Sequence, residues 1–361
     1  MIRTAQVIPV TVSAKTTWLF IALDDGEGNT GWGEATLQGQ EAEVQDIARR
    51  LLDDLPALDP NRLPFATLPQ AAAASAIRQA HDDLAARRAG VALSRHLGGT
   101  RRDAVGVYAN INRRTTDRSP EGMAQSARDA LAAGHGAIKI APFDEVQPDQ
   151  DRATMARAME PGLARIAAVR DAIGARRLMV DCHWRFDVAG AEAMMDACAP
   201  FALHWIECPI AETPETIPAL VDLRRRANRN DALLAGMECA ILRAGFAPYA
   251  AAGAYDVMMP DVKYCGGPRE MLAIAADLAE HGVVFSPHNP TGPICHAHSL
   301  HVCAALADGD LLEMQFDESP MFASLVKDGL PPLTDGAFDM ATLAPGLGLS
   351  LEIPETQFGT L

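Results

Sequence analysis

No stretch of the 361 residues approaches the roughly 20 uncharged apolar residues of a membrane span, and residues 1–12 lack the long apolar core of a secretion signal. These absences predict a cytoplasmic protein with no membrane partner. Basic residues are also scarce: 31 Lys and Arg stand against 47 Asp and Glu, for a formal charge of −16. So acidic a chain is repelled by nucleic acid and anionic lipid, which leaves a small molecule as the expected partner. The seven cysteines all lie between Cys182 and Cys303 and form no Cys-x-x-Cys pair. Neither a disulfide framework nor a zinc ribbon is expected, and the thiols read as small buried side chains.

The length exceeds the usual single domain, so a large α/β barrel with an added module or two domains is the starting expectation. The first hundred residues hold apolar-polar alternation at 6–12 and 17–22 and a third run at 31–35 after a turn at 25–29. Helix-like segments follow, which together read as an antiparallel α+β module. From residue 104 onward, short apolar strands alternate with alanine-rich amphipathic helices, at 104–111, 137–140, 178–183, 203–207, 233–238, 255–261, 283–286 and 311–314. A doubly wound sheet and a barrel compete for such repeats, and eight strands fit a closed (β/α) barrel. The expected organisation is an α+β module over 1–103, a barrel over 104–335, and a segment 336–361 whose late strand returns to the N-terminal module.

In a barrel the reacting groups sit at the C-terminal strand ends. Asp181, Glu207 and Glu238 each end one of these apolar runs, 26 and 31 residues apart. Three carboxylates at one mouth repel each other, and a hard divalent cation relieves that, with magnesium the natural candidate and manganese the alternative. Each is followed by a cysteine (Cys182, Cys208, Cys239), which strand alternation points outward to the helices. Asp261 and His288 end the next two strands; a carboxylate on an imidazole fixes its tautomer and raises its basicity, which makes His288 a general base. Glu313, on the last strand, is a candidate to bond the substrate carboxylate or its enediolate if protonated, as a pKa raised by its acidic neighbours would allow. Lys139 would stabilise the charge of an enediolate. His183, two residues beyond Asp181, is the candidate acid for a departing hydroxyl, and Arg185 the candidate substrate ligand. Cys295, His298 and His301 imitate a zinc site by helical spacing but lack a fourth ligand.

Gly31-Trp32-Gly33-Glu34-Ala35, Ala80-His81-Asp82-Asp83-Leu84-Ala85, Leu97-Gly98-Gly99, Ile206-Glu207-Cys208-Pro209, Met259-Pro260-Asp261, Gly266-Gly267 and Pro345-Gly346-Leu347-Gly348 resemble, in order, segments of the enolase superfamily. The resemblance implies a (β/α)7β TIM-type barrel, an N-terminal α+β capping domain completed by the C-terminal strand, and Asp181, Glu207 and Glu238 as magnesium ligands. The Asp261–His288 pair is similar to the mandelate racemase branch, and Asp181-x-His183 resembles galactonate- and mannonate-type dehydratases. The family's Lys-x-Lys is reduced to Lys139-Ile140-Ala141, which removes the second base of a racemase. Residues 142–145 are expected to line the pocket, and the loops at 13–16 and 37–41 to close over it.

The expected reaction is magnesium-dependent loss of the alpha proton and the 3-hydroxyl of a hydroxy or sugar acid, which makes the chain a hydro-lyase of carbohydrate-acid catabolism. The product would be a 2-keto-3-deoxy acid. Alternatives are a racemase or epimerase, a dehydratase of a non-sugar acid such as a hydroxylated amino acid, and a catalytically weak ligand-binding relative. The resemblance also implies a homo-oligomer.

Overall fold

The structure is a computed structural model and describes residues 2–327 and 330–353. Three strands, β1 (Thr4–Thr11), β2 (Thr17–Asp24) and β3 (Thr30–Glu34), pair antiparallel in sequence order. The second turn is closed by Asp25, whose Oδ1 accepts from the backbone N–H of Glu27 and Asn29. Helices α1 (Glu41–Leu52), α2 (Leu68–Arg88) and α3 (Leu93–His96) follow. Alanines along α2 let the sheet lie almost backbone to backbone on it. A Cβ at Gly31 would stand 2.1 Å from the Ala80 carbonyl oxygen, and one at Gly33 would stand 2.0 Å from that of Ala76. That is the physical need behind the Gly31-Trp32-Gly33 spacing.

The barrel strands are β4 (Ala104–Asn110), β5 (Ala137–Ile140), β6 (Arg177–Asp181), β7 (Trp205–Glu207), β8 (Leu233–Gly236), β9 (Val257–Met258), β10 (Val284–Phe285) and β11 (Leu312–Gln315). Helices α4 (Pro120–Ala132), α5 (Arg152–Ile173), α6 (Val188–Cys198), α7 (Ile217–Asn228), α8 (Leu242–Ala252), α9 (Pro268–Glu280) and α10 (Pro293–Ala305) alternate with them. The strands run parallel in sequence order, and β11 pairs with β4. Asp310 N–H donating to the Phe285 carbonyl and Glu313 N–H to that of Pro287 close the ring. The architecture is therefore the expected (β/α)7β barrel with an N-terminal antiparallel capping domain. Several expected strands are shorter in the structure: 255–261 narrows to Val257–Met258 and 283–286 to Val284–Phe285. Pro260 and Pro287 follow them and have no N–H to donate to a ladder.

Strand alternation builds the interior. Tyr108, Ala137, Met179, Trp205, Ala235, Val257 and Met259 form one apolar layer inside the barrel, while Ile138, Leu178, Val180, Ile206 and Leu234 face the helices. Two residues beyond that layer, the same inward face carries Asn110, Lys139, Asp181, Glu207 and Asp261. The period of two therefore carries the polar layer to the mouth.

The cap is fastened to the barrel by Glu34. Its carboxylate accepts from Thr291 Oγ1 (2.6 Å) and the N–H groups of Gly292 (2.8 Å) and Cys295 (3.0 Å), and so satisfies the open amides at the start of α10 from another domain.

After β12 (Val326–Lys327) and β13 (Leu333–Thr334), β14 (Ala337–Asp339) joins the outer end of β4 antiparallel, and β15 (Ser350–Leu351) pairs with β12. The terminal strand is thus two residues long rather than an extended alternating run. Leu347 and Leu349 pack with Val10 and Trp18, and Leu347 N–H donates to Asp83. Residues 354–361 of the expected returning segment lie outside the described residues. Among the described residues, no helix is long and apolar enough to cross a membrane.

Candidate active site

Asp181 and Glu207 stand side by side in the β6–β7 ladder, and Glu207 is registered with Ala235 of β8. Glu238 lies three positions further on and reaches the same point because Met237 adopts φ 75°, turning the chain back over the strand end. Glu212 holds that turn: its carboxylate accepts from Met237 N–H (2.7 Å), Tyr255 Oη (2.7 Å) and Trp184 Nε1 (3.1 Å). Oxygen atoms of Asp181, Glu207 and Glu238, all buried, lie within 4.8 Å of one another. An all-carboxylate donor set suits a hard divalent cation, and the triad can hold one.

Lys139 is the buried cation beneath this cluster. Its Nζ stands 2.6 Å from Glu207 Oε1 and 2.8 Å from Glu313 Oε1, with all three side chains sealed from solvent. Burial alone would lower its pKa, but the two glutamates hold it well above the usual lysine range. Glu313 also accepts from Asn110 Nδ2 (2.7 Å) and Asn289 N–H (3.0 Å). The condition that Glu313 be protonated is not met. Burial pushes its pKa up, but Lys139 and His288 outweigh that and keep it ionised. Glu207 is pushed up, to about 8, by burial against the pull of Lys139 and by Asp181 and Glu313 nearby, and burial likewise pushes Glu212 up to about 7.

His288 Nδ1 lies 2.7 Å from Asp261 Oδ2, and His288 Nε2 lies 3.5 Å from Glu238 Oε2. Burial disfavours the imidazolium, but Glu238, Glu313 and Asp261 together raise the pKa above the ordinary histidine value. Lys263, missed in the sequence, is buried with its Nζ 3.2 Å from the same Asp261 oxygen. Asp261 stays below the usual carboxylate range, since Lys263 and His288 outweigh its burial.

His183 meets the triad from the loop that follows β6. Its Nε2 stands 2.8 Å from Asp181 Oδ2, and its side chain is 45% exposed. The carboxylate of Asp181 raises its pKa to about 9. The contact arises from a left-handed turn, φ 48° at His183 and 55° at Trp184, and not from continued strand alternation. A similar turn corrects the expectation for Cys208: with φ 46° its Sγ swings to 3.9 Å from Glu238 Oε2 instead of pointing to the helix layer. Burial raises the thiol far above its usual pKa. Cys182 does join the core outside the barrel. His298 and His301 are buried with ring nitrogens on the backbone oxygens of Trp32 and Leu347, as interior packing groups.

A cavity of about 920 Å³ opens between cap and barrel. It is lined by residues 13–16 and Gln38 of the cap, by the loop after β4, and by Ala141, Asp144, His183 and Arg185. The contact between His183 and Asp181 links it to the triad. Ala141, in place of the second lysine, donates its N–H to Asn112. Within 142–145 only Asp144 lines the cavity, because Phe143 packs on Phe186 and Glu145 pairs with Arg165. Arg185 is fixed by the carbonyls of Asp144 and Val146. Asn110, Glu212 and Lys263 carried no sequence signal beyond, for Asn110 alone, its inward parity on β4.

A family model described as enolase C-terminal domain-like matches residues 122–356. D-galactonate dehydratase of Xanthomonas euvesicatoria pv. vesicatoria is 30% identical over 306 residues, spanning 81% of this chain and 76% of that protein. D-galactonate dehydratase of Ralstonia pickettii is 27% identical, spanning 93% of this chain and 89% of that one. A solved mandelate racemase/muconate lactonizing enzyme from Jannaschia sp. CCS1 superposes with a TM-score of 0.84 at 22% identity, over 97% of this chain and 95% of that one. An enolase-superfamily structure from Salmonella Typhimurium gives the same score at 22% identity, over 99% and 97%. These two show the fold.

Proposed function

The chain belongs to the enolase superfamily as an enzyme of the dehydratase type, and from that premise we propose its reaction: a 2,3-dihydroxy sugar acid loses its alpha proton and its 3-hydroxyl as water, giving a 2-keto-3-deoxy acid. The observation that carries this reading is that two imidazoles meet one carboxylate triad, His288 at Glu238 and His183 at Asp181.

Asp181, Glu207 and Glu238 would hold a magnesium ion, or manganese, which when bound supplies positive charge for the substrate carboxylate. Asp261 engages Nδ1 of His288 and leaves Nε2 as the atom that takes the alpha proton. As the C–H electron pair moves into the carboxylate, Lys139 offers a buried ammonium beside the developing negative charge. The C3–O bond then breaks, His183 delivers its proton to the departing hydroxyl, and the enol tautomerises to the ketone. The contact with Asp181 raises the His183 pKa, the direction a general acid needs. The cap loops at 13–16 and 37–41 exclude water. With Lys139 locked between two glutamates and alanine at 141, this strand end offers no second base, which favours dehydration over two-base epimerisation. The substrate is a small carboxylic acid, and assembly as a cytoplasmic homo-oligomer completes the reading.

Incubating the magnesium-loaded protein with acid sugars in D₂O tests it. A 2-keto product supports dehydration, whereas alpha deuteration without keto product transfers the reading to epimerisation.

A further inference from the structure

The cavity wall is cationic in a strongly acidic chain. Five Lys and Arg side chains against three carboxylates line it, whereas the whole sequence carries −16. The pairing within the wall is uneven. Arg118 is bound by both oxygens of Asp144 at 2.7 and 2.9 Å, and Arg113 is paired with Glu318 at 3.0 Å. Lys15 and Arg185 have no carboxylate partner among the described residues.

The two are held differently: Arg185 at its guanidinium, Lys15 only through its backbone. Lys15 sits at the tip of the β1–β2 hairpin, where Ser13 Oγ accepts from the N–H groups of Lys15 and Thr16. The tip is tied to the barrel because Thr16 Oγ1 donates to Glu318 at 2.5 Å. Arg185 is oriented by two backbone carbonyls, which absorb part of its donor set and leave its charge uncompensated. A fixed guanidinium facing a cleft favours an anion there more than a mobile one does, since little side-chain entropy is lost on binding, and Lys15 adds an ammonium without a carboxylate partner from the anchored hairpin tip. The reacting carboxylate of the substrate is already provided for at the triad and Lys139.

We propose that Lys15 and Arg185 hold a second anionic group, a carboxylate or a phosphate, at the end of the substrate remote from the reacting carbon. This inference rests on the dehydratase reading and deepens it: the substrate is a doubly charged sugar acid, a diacid or an ω-phosphorylated acid. Asn112, Gln38 and Thr116, which also line the cavity, are neutral partners for the hydroxyls between the two ends.

The test compares, on the magnesium-loaded enzyme, three acids of equal carbon number: an aldonate, the corresponding aldarate, and the aldonate phosphorylated at its terminal hydroxyl. One of the doubly charged acids is expected to exceed the aldonate in kcat/KM by about tenfold or more, the scale of a charge-assisted contact. Whichever does so identifies the carboxylate or the phosphate. Lys15→Met should cut that preference by about tenfold, and Arg185→Met should cut it similarly. Calorimetric binding of adipate against hexanoate, neither of which carries a hydroxyl to lose, reads the same preference without turnover. Adipate binding that weakens in Lys15→Met supports the anion site even if no acid yields a keto product, an outcome that sinks the dehydratase reading alone. An aldonate turned over as well as both doubly charged acids, with Lys15→Met changing all three by one factor, overturns the proposal and leaves the dehydratase reading standing.

Discussion

Asp261 Oδ2 lies 2.7 Å from His288 Nδ1, and Lys263 Nζ reaches the same oxygen at 3.2 Å. The carboxylate therefore engages one ring nitrogen, which in the proposed reaction leaves the other to take the proton, and Lys263 helps hold the carboxylate below its usual range.

Asp261→Asn should lower kcat by about 10²-fold or more, the scale of a general-base contribution. Its pH signature has a definite sign. The base works unprotonated, so kcat/KM falls as pH drops through the His288 pKa, which lies above the ordinary value of 6.5. Asp261 contributes to that elevation, so the neutral amide moves the acid limb of the profile to lower pH. A limb that stays in place would show that Asp261 does not bias the base.

Cation binding should stabilise the fold, because it offsets the crowding of three buried acidic groups that pushes Glu207 up to about 8. Magnesium at about 100 times its dissociation constant adds about 2.7 kcal/mol, visible as a rise in Tm that chelation reverses. Asp181→Asn and Glu238→Gln should lose both that rise and turnover.

Glu212 touches no substrate in this account; it sets the turn that carries Glu238. Glu212→Ala leaves the Met237 amide, Tyr255 and Trp184 without an acceptor, and should weaken magnesium binding by about 10- to 100-fold, as loss of a ligand-orienting contact does. Titration of the variant by calorimetry checks this.

Gly33→Ala places a methyl 2.0 Å from the Ala76 oxygen, and the cap must part from its own helix to admit it. A loss of about 2 kcal/mol or more in denaturant unfolding is expected. Gly39→Ala, where a Cβ meets nothing within 4 Å though φ is 79°, should cost only its backbone strain, about 1 kcal/mol.

The barrel and most of the site were legible because the period of two that hides Met179 and Trp205 also aims Asp181 and Glu207 at the mouth. Legibility stopped where left-handed turns intervene. Parity assigns the inward place on β8 to Met237, so Glu238 is found only through its ion-binding company, and the swing of Cys208 has no sequence signal. Glu212 acts from the loop after β7 on the turn after β8, and Lys263 reaches the Asp261 carboxylate only because the loop after β9 turns back on itself. The charge state of Glu313 escaped for a related reason: its acidic neighbours are visible along the chain, whereas the ammonium of Lys139 reaches it only across the closed barrel.

The central claim divides proton removal and hydroxyl loss between His288 and His183. Proton NMR in D₂O, on the magnesium-loaded enzyme with a turned-over acid sugar, measures both steps at once. His183→Ala should exchange the alpha proton while keto product falls by about 10²- to 10⁴-fold, and His288→Asn should show neither exchange nor product. Exchange that persists in His288→Asn, or product that persists in His183→Ala, would contradict the account.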